Sequence, residues 1–481
     1  MYKTMLLHKY LFLTVMFFTF SVMASAQNCD CENNFAWLKK TFEENDAGAQ
    51  YAINKKGQAA YDIHNQLISE KIKSATDIYD CRNILNEWLR FFRSGHLGIG
   101  ILPEAIKETQ TENAAENTNE YELFPNWETV RVDTTEFKKY LDNKQDFDFE
   151  GIWANGAYEI GVKKIDNQYI GFIINSIYKD WTEGQVKFKI SADSATYYMQ
   201  NRSVERGNPV LSSKNFLYLI TMDTNFERIY PVYEDNFLQS LIDRKPNLET
   251  INNNTSYLRI PSFRYEYKHL LDSIISVNFD KITNTENLII DLRYNDGGND
   301  GNWYGLLPFL YTNPVRTRGV KYLSTELNNQ RMLDFVRDDF YKEWAEQSYN
   351  KLKDRVGEFV NINNVNVSTT AFDTIYSYPK NIAIIVNSTC ASSNEQFLLA
   401  AKQSRKVKIF GTTTAGALDF SNIYSVNSPC NEFQLYYALS KVIGFENFPI
   451  DDIGIQPDFY LDSEIPEYKW VEYVSKILNN E

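Results

Sequence analysis

The segment Ile382–Gln403, IAIIVNSTCASSNEQFLLAAKQ, constrains the fold more than any other part of the chain. Ile382 to Val386 is apolar without alternation, the pattern of a strand buried on both faces. From Phe397 to Ala401 the apolar spacing is that of a helix. Between the two lie Ser388, Thr389, Cys390, Ala391, Ser392, Ser393 and Asn394, so the chain must turn sharply on small polar residues. Two readings of the turn are open. Ser392 and Glu395 fit a capping box, S-x-x-E, in which hydroxyl and carboxylate satisfy free N–H groups at the helix start. A strand-to-helix turn is also where hydrolases present a nucleophilic hydroxyl, because helix N-terminal N–H groups can face a developing oxyanion.

The surrounding pattern favours a site at this turn. After Thr255 the strands SYLRIPSF, NLIIDLRYN, NIAIIVN and VKIFGTTT alternate with the helical segments YEYKHLLDSIISVN, GNWYGLLPFLY and EQFLLAAKQ. Such alternation predicts an α/β unit over residues 251–481, a mostly parallel sheet covered by helices. Loops after strand C-termini carry the site in such sheets. One of them, RYNDGGND, holds Gly297 and Gly298, which can bring a backbone N–H close to a ligand. The N–H of Gly297 or Gly298 together with that of Ser393 would make an oxyanion hole.

Upstream the pattern differs twice. Residues 27–106 carry helical periodicity, as in ATDIYDCRNILNEWLRFF, and residues 107–120 are a polar Asn-, Thr- and Glu-rich stretch that reads as a linker. Residues 121–250 alternate polar and apolar residues in short runs, predicting a small antiparallel β domain. Residues 1–26 read as a signal peptide: Lys3 and Lys9, an apolar run from Tyr10 to Met23, then Ala24-Ser25-Ala26. Cys29 and Cys31 do not stand in a lipidation box, so release to the periplasm or the exterior is expected, with no stable membrane insertion after cleavage. Export permits disulfides. Cys29 or Cys31 with Cys81 is the expected bridge, and the odd count of five leaves at least one thiol over.

Charge and composition narrow the partners. A net charge of −14 argues against nucleic acid, whose phosphates require clustered cations. Cys29-x-Cys31 is too tight for a zinc knuckle and has no histidine cluster near it, so neither metal nor cofactor is expected. A base for Ser392 must come from four histidines, of which His8 lies in the leader. His64 and His269 sit in helical patterns as surface or packing residues. His96, in FFRSGHLGIGI, stands where a helix ends at glycine and a strand begins, and is the better candidate.

At this point the residues match a family. YLRIPSF, LIIDLRYNDGG, NSTCASSNEQF, FGTTTAG and IGIQPDF follow the order and spacing of the S41 serine peptidases, the C-terminal processing or tail-specific peptidases. The resemblance implies a ClpP/crotonase-like sheet, Ser392 as nucleophile, an oxyanion hole at Gly297, Gly298 and Ser393, and a protein or peptide substrate. The Ser–Lys branch of the family has its lysine just after G-x-x-T-x-G, where this chain has Ala417. Lys402, Lys406 and Lys408 do not replace it. The chain is more similar to the tricorn-core-like branch, which takes a histidine from an S-H or G-H motif, here His96. That branch takes an acid near G-x-x-P-D, here Asp451, with Asp452 as the alternative and aspartate in place of the more usual glutamate. Asp458 reads as structural, and no PDZ-like signature is present. The expectation is thus an exported serine endopeptidase with a Ser392–His96–Asp451 triad working through an acyl-enzyme. The competing reading is a non-catalytic relative that binds peptides or another ligand. Acyl-CoA hydratase-like chemistry on a related sheet does not suit an exported chain.

Overall fold

The structure is a computed structural model that describes residues 29–105, 124, 126–145, 147–191, 194–200, 202–219, 224–234, 245–334, 342–462 and 464–480. The leader and the linker expected at 107–120 lie outside the described residues.

Four helices open the described residues: Cys31–Asn45, Ala49–Lys56, Gln58–Ile72 and Ile78–Leu89. Asp30 and Asp77 cap the first and fourth, accepting from the N–H of Asn33 at 2.8 Å and of Asp80 at 2.7 Å. Phe35, Leu38, Phe42, Leu85, Trp88 and Leu89 bury one face of this bundle. That core is completed by Phe433, Leu435 and Tyr437 of a distant hairpin, so the helices and the C-terminal part share one apolar interior. Two disulfides fasten the same junction, Cys31–Cys81 within the helices and Cys29–Cys430 to the hairpin turn, leaving Cys390 as a buried free thiol.

The middle of the chain is a nine-stranded sheet running from Gly151–Ala154 to Thr224–Tyr230, with every ladder antiparallel. Trp153, Ile160, Phe188, Leu217 and Phe226 fill its interior.

The C-terminal part holds two sheets rather than one. A six-stranded sheet runs Asn247–Asn252, Thr255–Arg259, Asn287–Asp291, Asn381–Val386, Val407–Gly411 and Phe459–Tyr460 in spatial order. Its first pair is antiparallel and the others are parallel. The pleat decides which side chains meet which helix. Ile290, Ile384 and Ile409 face Leu271, Phe397 and Leu398, whereas Ile289, Ala383, Ile385 and Phe410 face Trp470 and Val474. Beside it stands a five-stranded antiparallel sheet built around the hairpin Phe420–Asn427 and Phe433–Val442, to which the N-terminal strand Gly98–Ile101 adds an edge. Parallel pairing is therefore confined to one layer, and antiparallel ladders dominate the molecule. The cause is connection length: the short turn from Ser428 to Glu432 can join only antiparallel strands, while a parallel pair needs a crossover.

Candidate active site

The strand Asn381–Val386 lies between Asn287–Asp291 and Val407–Gly411, and all three end at the same edge of the sheet. Their following loops, 292–299, 387–392 and 412–417, are thereby gathered around Ser392. Ser392 has φ 61° and ψ −123°, a conformation costing about 1–3 kcal/mol for a residue with a side chain. Glu395 fixes it there. This buried carboxylate accepts from the N–H of Ser392 at 3.1 Å, the Thr414 hydroxyl at 2.5 Å, and the N–H groups of Gly416 and Ala417, each at 2.8 Å. The N–H of Ser392 also reaches the Ala417 carbonyl at 3.0 Å. The capping box S-x-x-E is formed, with the Ser392 hydroxyl facing the N–H of Glu395 and the Glu395 carboxylate reaching back to the N–H of Ser392, and the glutamate also binds the turn to the neighbouring loop.

The glycine pair lies directly against this turn. A Cβ on Gly297 (φ 100°) would come within 2.8 Å of Ser392 Cβ and 2.9 Å of the Ser393 nitrogen, so only glycine fits. Its N–H is taken by Asn295 Oδ1 at 3.0 Å. The donors without a partner among the described residues are instead the N–H of exposed Gly298 and that of Ser393. Of the expected donors, Gly298 and Ser393 remain available and Gly297 serves as the close-packed turn. The loop is anchored from below. Asn295 Nδ2 donates to the Ile260 carbonyl at 3.0 Å, and Tyr294 (φ 62°) donates its N–H to Asn387 Oδ1 at 3.1 Å. The Tyr294 hydroxyl donates to Glu467 at 2.7 Å and also pairs with Ser212 of the nine-stranded sheet.

The loop that carries His96 comes from the N-terminal helices and packs against the loop at 412–417. His96 too has positive φ, 57°. A Cβ on Gly95 would lie 2.3 Å from Ala417 Cβ, so the histidine loop rests on the residue whose carbonyl holds Ser392. Arg93 organises the loop: it pairs with Asp46 through two bonds of 2.8 and 2.6 Å and donates to the carbonyls of Gly95 and His96 at 3.0 and 3.1 Å. The N–H of Ser94 is capped by Asp452 at 2.8 Å. The ring Nδ1 of His96 lies 2.5 Å from the Phe420 carbonyl, which can only accept. Nδ1 therefore carries the proton and Nε2 a lone pair. Burial pushes this imidazole down to about 4, with Arg93 adding to the effect, so it is neutral at ordinary pH. No hydrogen bond joins His96 to Ser392; catalytic bonds often tighten only around substrate.

Neither acid candidate is hydrogen-bonded to the imidazole. Asp451 Oδ1 accepts from the N–H groups of Leu418 and Asp419 at 2.6 and 2.7 Å, and Asp452 is the cap on Ser94. Residues 451–453 form a turn, with Asp452 at φ 63°, so strand alternation does not sort their side chains. The position that a triad gives to a carboxylate is occupied here by the Phe420 carbonyl. Sequence reading missed it because a backbone oxygen leaves no residue signature. It also missed Asn295, although asparagine beside a glycine turn was the available signal.

Other candidates lie elsewhere. His64 stacks on Phe91, and His269 is exposed on the helix Lys268–Val277. Lys402 donates to the Gln456 carbonyl at 3.3 Å, and Lys406 to that of Tyr376 at 2.5 Å. Asp458 accepts from the N–H of Ile409 at 2.8 Å, a sheet contact. Burial pushes the Cys390 thiol up to about 12, which leaves it without thiolate reactivity. Among the described residues no group of three or more His, Cys, Asp or Glu could hold a metal ion.

Residues 254–461 match the family model for peptidase family S41. No curated protein matches the sequence. Among solved structures, mature CPAF is similar at 13% identity over 94% of this chain and 98% of that one, with a TM-score of 0.51. Mature CPAF complexed with lactacystin gives the same identity and TM-score over 94% and 99%. A crystal structure of a putative peptidase from Parabacteroides merdae is 13% identical over 94% and 97%, with a TM-score of 0.43. At these identities the likeness to mature CPAF is one of fold.

Proposed function

From the match of residues 254–461 to the model of peptidase family S41 we propose that the chain is an active, exported serine endopeptidase of that family, resembling the carboxy-terminal processing enzymes. The observation that carries this reading is the meeting of three things at one sheet edge. They are a serine held at positive φ on a strand-to-helix turn, two unpartnered N–H groups beside it, and, on the loop packed against it, an imidazole whose Nδ1–H is taken by a carbonyl.

The chemistry follows from those atoms. Ser392 Oγ attacks the peptide carbonyl while His96 Nε2 removes its proton. The tetrahedral oxyanion is held by the N–H groups of Gly298 and Ser393. The imidazolium then protonates the leaving amine, and the acyl-enzyme is hydrolysed by water activated at the same nitrogen. The Phe420 carbonyl fixes the tautomer, as a carboxylate would, but brings a dipole rather than a full charge to the imidazolium. An extended, unstructured protein segment is the substrate class that can lie across the strand ends on a ClpP/crotonase-like sheet. Export is supported by the apolar leader and by two disulfides that join remote parts of the chain; no helix among the described residues is long and apolar enough to cross a membrane. The mature protein is then periplasmic or extracellular.

A fluorophosphonate probe tests the reading directly. A single adduct on the parent, mapped to Ser392 and absent from Ser392→Ala, is expected. A parent that neither labels nor cleaves an unfolded protein would be a non-catalytic binding relative.

A further inference from the structure

Asp451 and Asp419 hold each other's backbone. Asp451 Oδ1 accepts from the N–H groups of Leu418 and Asp419, and Asp419 Oδ2 accepts from those of Ile450 and Asp451 at 2.8 and 2.9 Å. Each carboxylate has one further oxygen, Oδ1 of Asp419 and Oδ2 of Asp451, and both are buried without a partner. The two side chains line one small cavity with Tyr51, Lys55, Arg93 and Asp452. Two buried carboxylates side by side cannot both be charged at low cost, and one proton shared between free oxygens relieves them.

What the pair holds is the histidine's support. Residue 420, whose carbonyl takes the His96 proton, follows Asp419 directly; residue 452, which caps Ser94, follows Asp451 directly. We propose that Asp419 and Asp451 are positioning residues: a reciprocal carboxylate clamp that shares one proton and keeps the Phe420 carbonyl aimed at His96. The inference rests on the peptidase reading above.

The proton bridges Asp451 Oδ2 and Asp419 Oδ1 and leaves to bulk water, so the pair passes from one negative charge to two. Repulsion then opens the clamp and the imidazole loses its fixed tautomer. The charged groups around the pair do not remove the need for the proton. Arg93, which faces Asp451, is engaged by Asp46 on both guanidinium nitrogens. Lys55 and Arg318 face Asp419; Lys55 is exposed, and Arg318 donates to the Gly444 carbonyl at 3.0 Å. Lys56 donates to the Phe91 carbonyl, and Asp452 adds further negative charge. Burial first, then Asp419, push Asp451 up to about 7. An acid raised in the folded state stabilises it below its unfolded value of 3.8, and that stability is lost as pH rises through about 7. Activity should therefore fall on the alkaline side, about tenfold per pH unit, the slope of one ionisation.

The test compares the mature parent with Asp451→Asn and Asp419→Asn in pH profiles of kcat/KM on an unfolded protein substrate. An asparagine amide mimics the protonated partner, so both variants should lose the alkaline fall, whereas Asp451→Ala should lose turnover at every pH. An Asn variant that keeps the parent's alkaline limb overturns the clamp. So does Asp451→Asn losing about 10⁴-fold at every pH, the behaviour of a carboxylate bonded to the imidazole itself. A second readout needs no variant and no activity: infrared spectra of parent carrying ¹³C-labelled aspartate should show a protonated carboxyl band at about pH 6 that is gone by about pH 8.5. Absence of that band at about pH 6 also overturns the clamp. An inactive parent that still shows the band would instead refute the peptidase reading and leave the clamp standing.

Discussion

Ser392 and its two N–H donors come from residues 293–298 and 387–395, loops at the ends of adjacent parallel strands. The groups that hold His96 and its loop are Arg93 of the loop itself and three from remote places, Asp46, Phe420 and Asp452. In the first half the backbone does the work, through positive φ at Ser392, Gly297 and Gly298 and the four bonds converging on Glu395. In the second, helices, hairpin and turn have to be folded against one another before the imidazole has a fixed position. The proposed nucleophile is thus placed by a short stretch of sequence, and the proposed base by tertiary assembly.

The two halves differ in what should break them. Ser392→Ala is expected to produce the largest loss, about 10⁶-fold in kcat, with stability lowered by no more than the about 1 kcal/mol that a capping hydroxyl contributes. A fall in stability of about 1 kcal/mol with activity retained would restore the capping reading. His96→Ala should lose about 10⁴-fold or more on the same substrate, while His64→Ala and His269→Ala keep parental rates; an active His96→Ala would mean the base lies elsewhere. Gly297→Ala, forced into a φ of 100° against Ser392, should cost about 10²–10³-fold in kcat through the displaced oxyanion donors. Equal loss of KM and kcat effects across both halves would show that they are not separable in this way.

Smaller effects sharpen the same contrast. His96 is lowered from 6.5 to about 4. It is neutral above that value, so the acidic limb of the pH–rate profile should sit near pH 4 rather than near free imidazole. The same shift makes the folded state bind its proton less readily than the unfolded chain. That contribution to stability is present above 6.5 and fades as pH falls toward about 4. An acidic limb at about 6.5 would mean the ring is solvated in the working enzyme. Ser393→Ala removes only the hydroxyl bond to Asp300, 2.6 Å long. It should stay within about 1.5 kcal/mol in stability and close to parent in rate.

That division also explains what could be read from residues alone. The turn at Ser392 and Ser393, the glycine pair at Gly297 and Gly298 and the break at His96 could be located because each is a local pattern: a strand-to-helix turn, a paired glycine, a helix stop before a strand. The role of Asp451 was not legible, because its partners are backbone N–H groups of Leu418 and Asp419, and nothing in IDDIGIQPDF marks which carbonyl or amide a carboxylate will meet. The hairpin sheet was hidden for a similar reason. Its strands were hidden by the helix-and-strand alternation expected to continue to the C-terminus, and its links to the helices, a shared core, the edge strand Gly98–Ile101 and a Cys29–Cys430 bridge spanning 401 residues of sequence, are all long-range. Of the two options for Cys81, the structure takes Cys31.

The contact between Gly95 and Ala417 carries one more consequence. Position 417 is where relatives of the Ser–Lys kind have their base, and here its side chain is 6% exposed, with the histidine loop seated upon it. A longer side chain at 417 has to evict that loop, and a β-carbon at 95 has to evict Ala417. The two proton acceptors are rival tenants of a single berth, so neither can be added while the other stays. A lineage moving from one to the other must cross an intermediate with no base at all, or alter positions 95, 96 and 417 together.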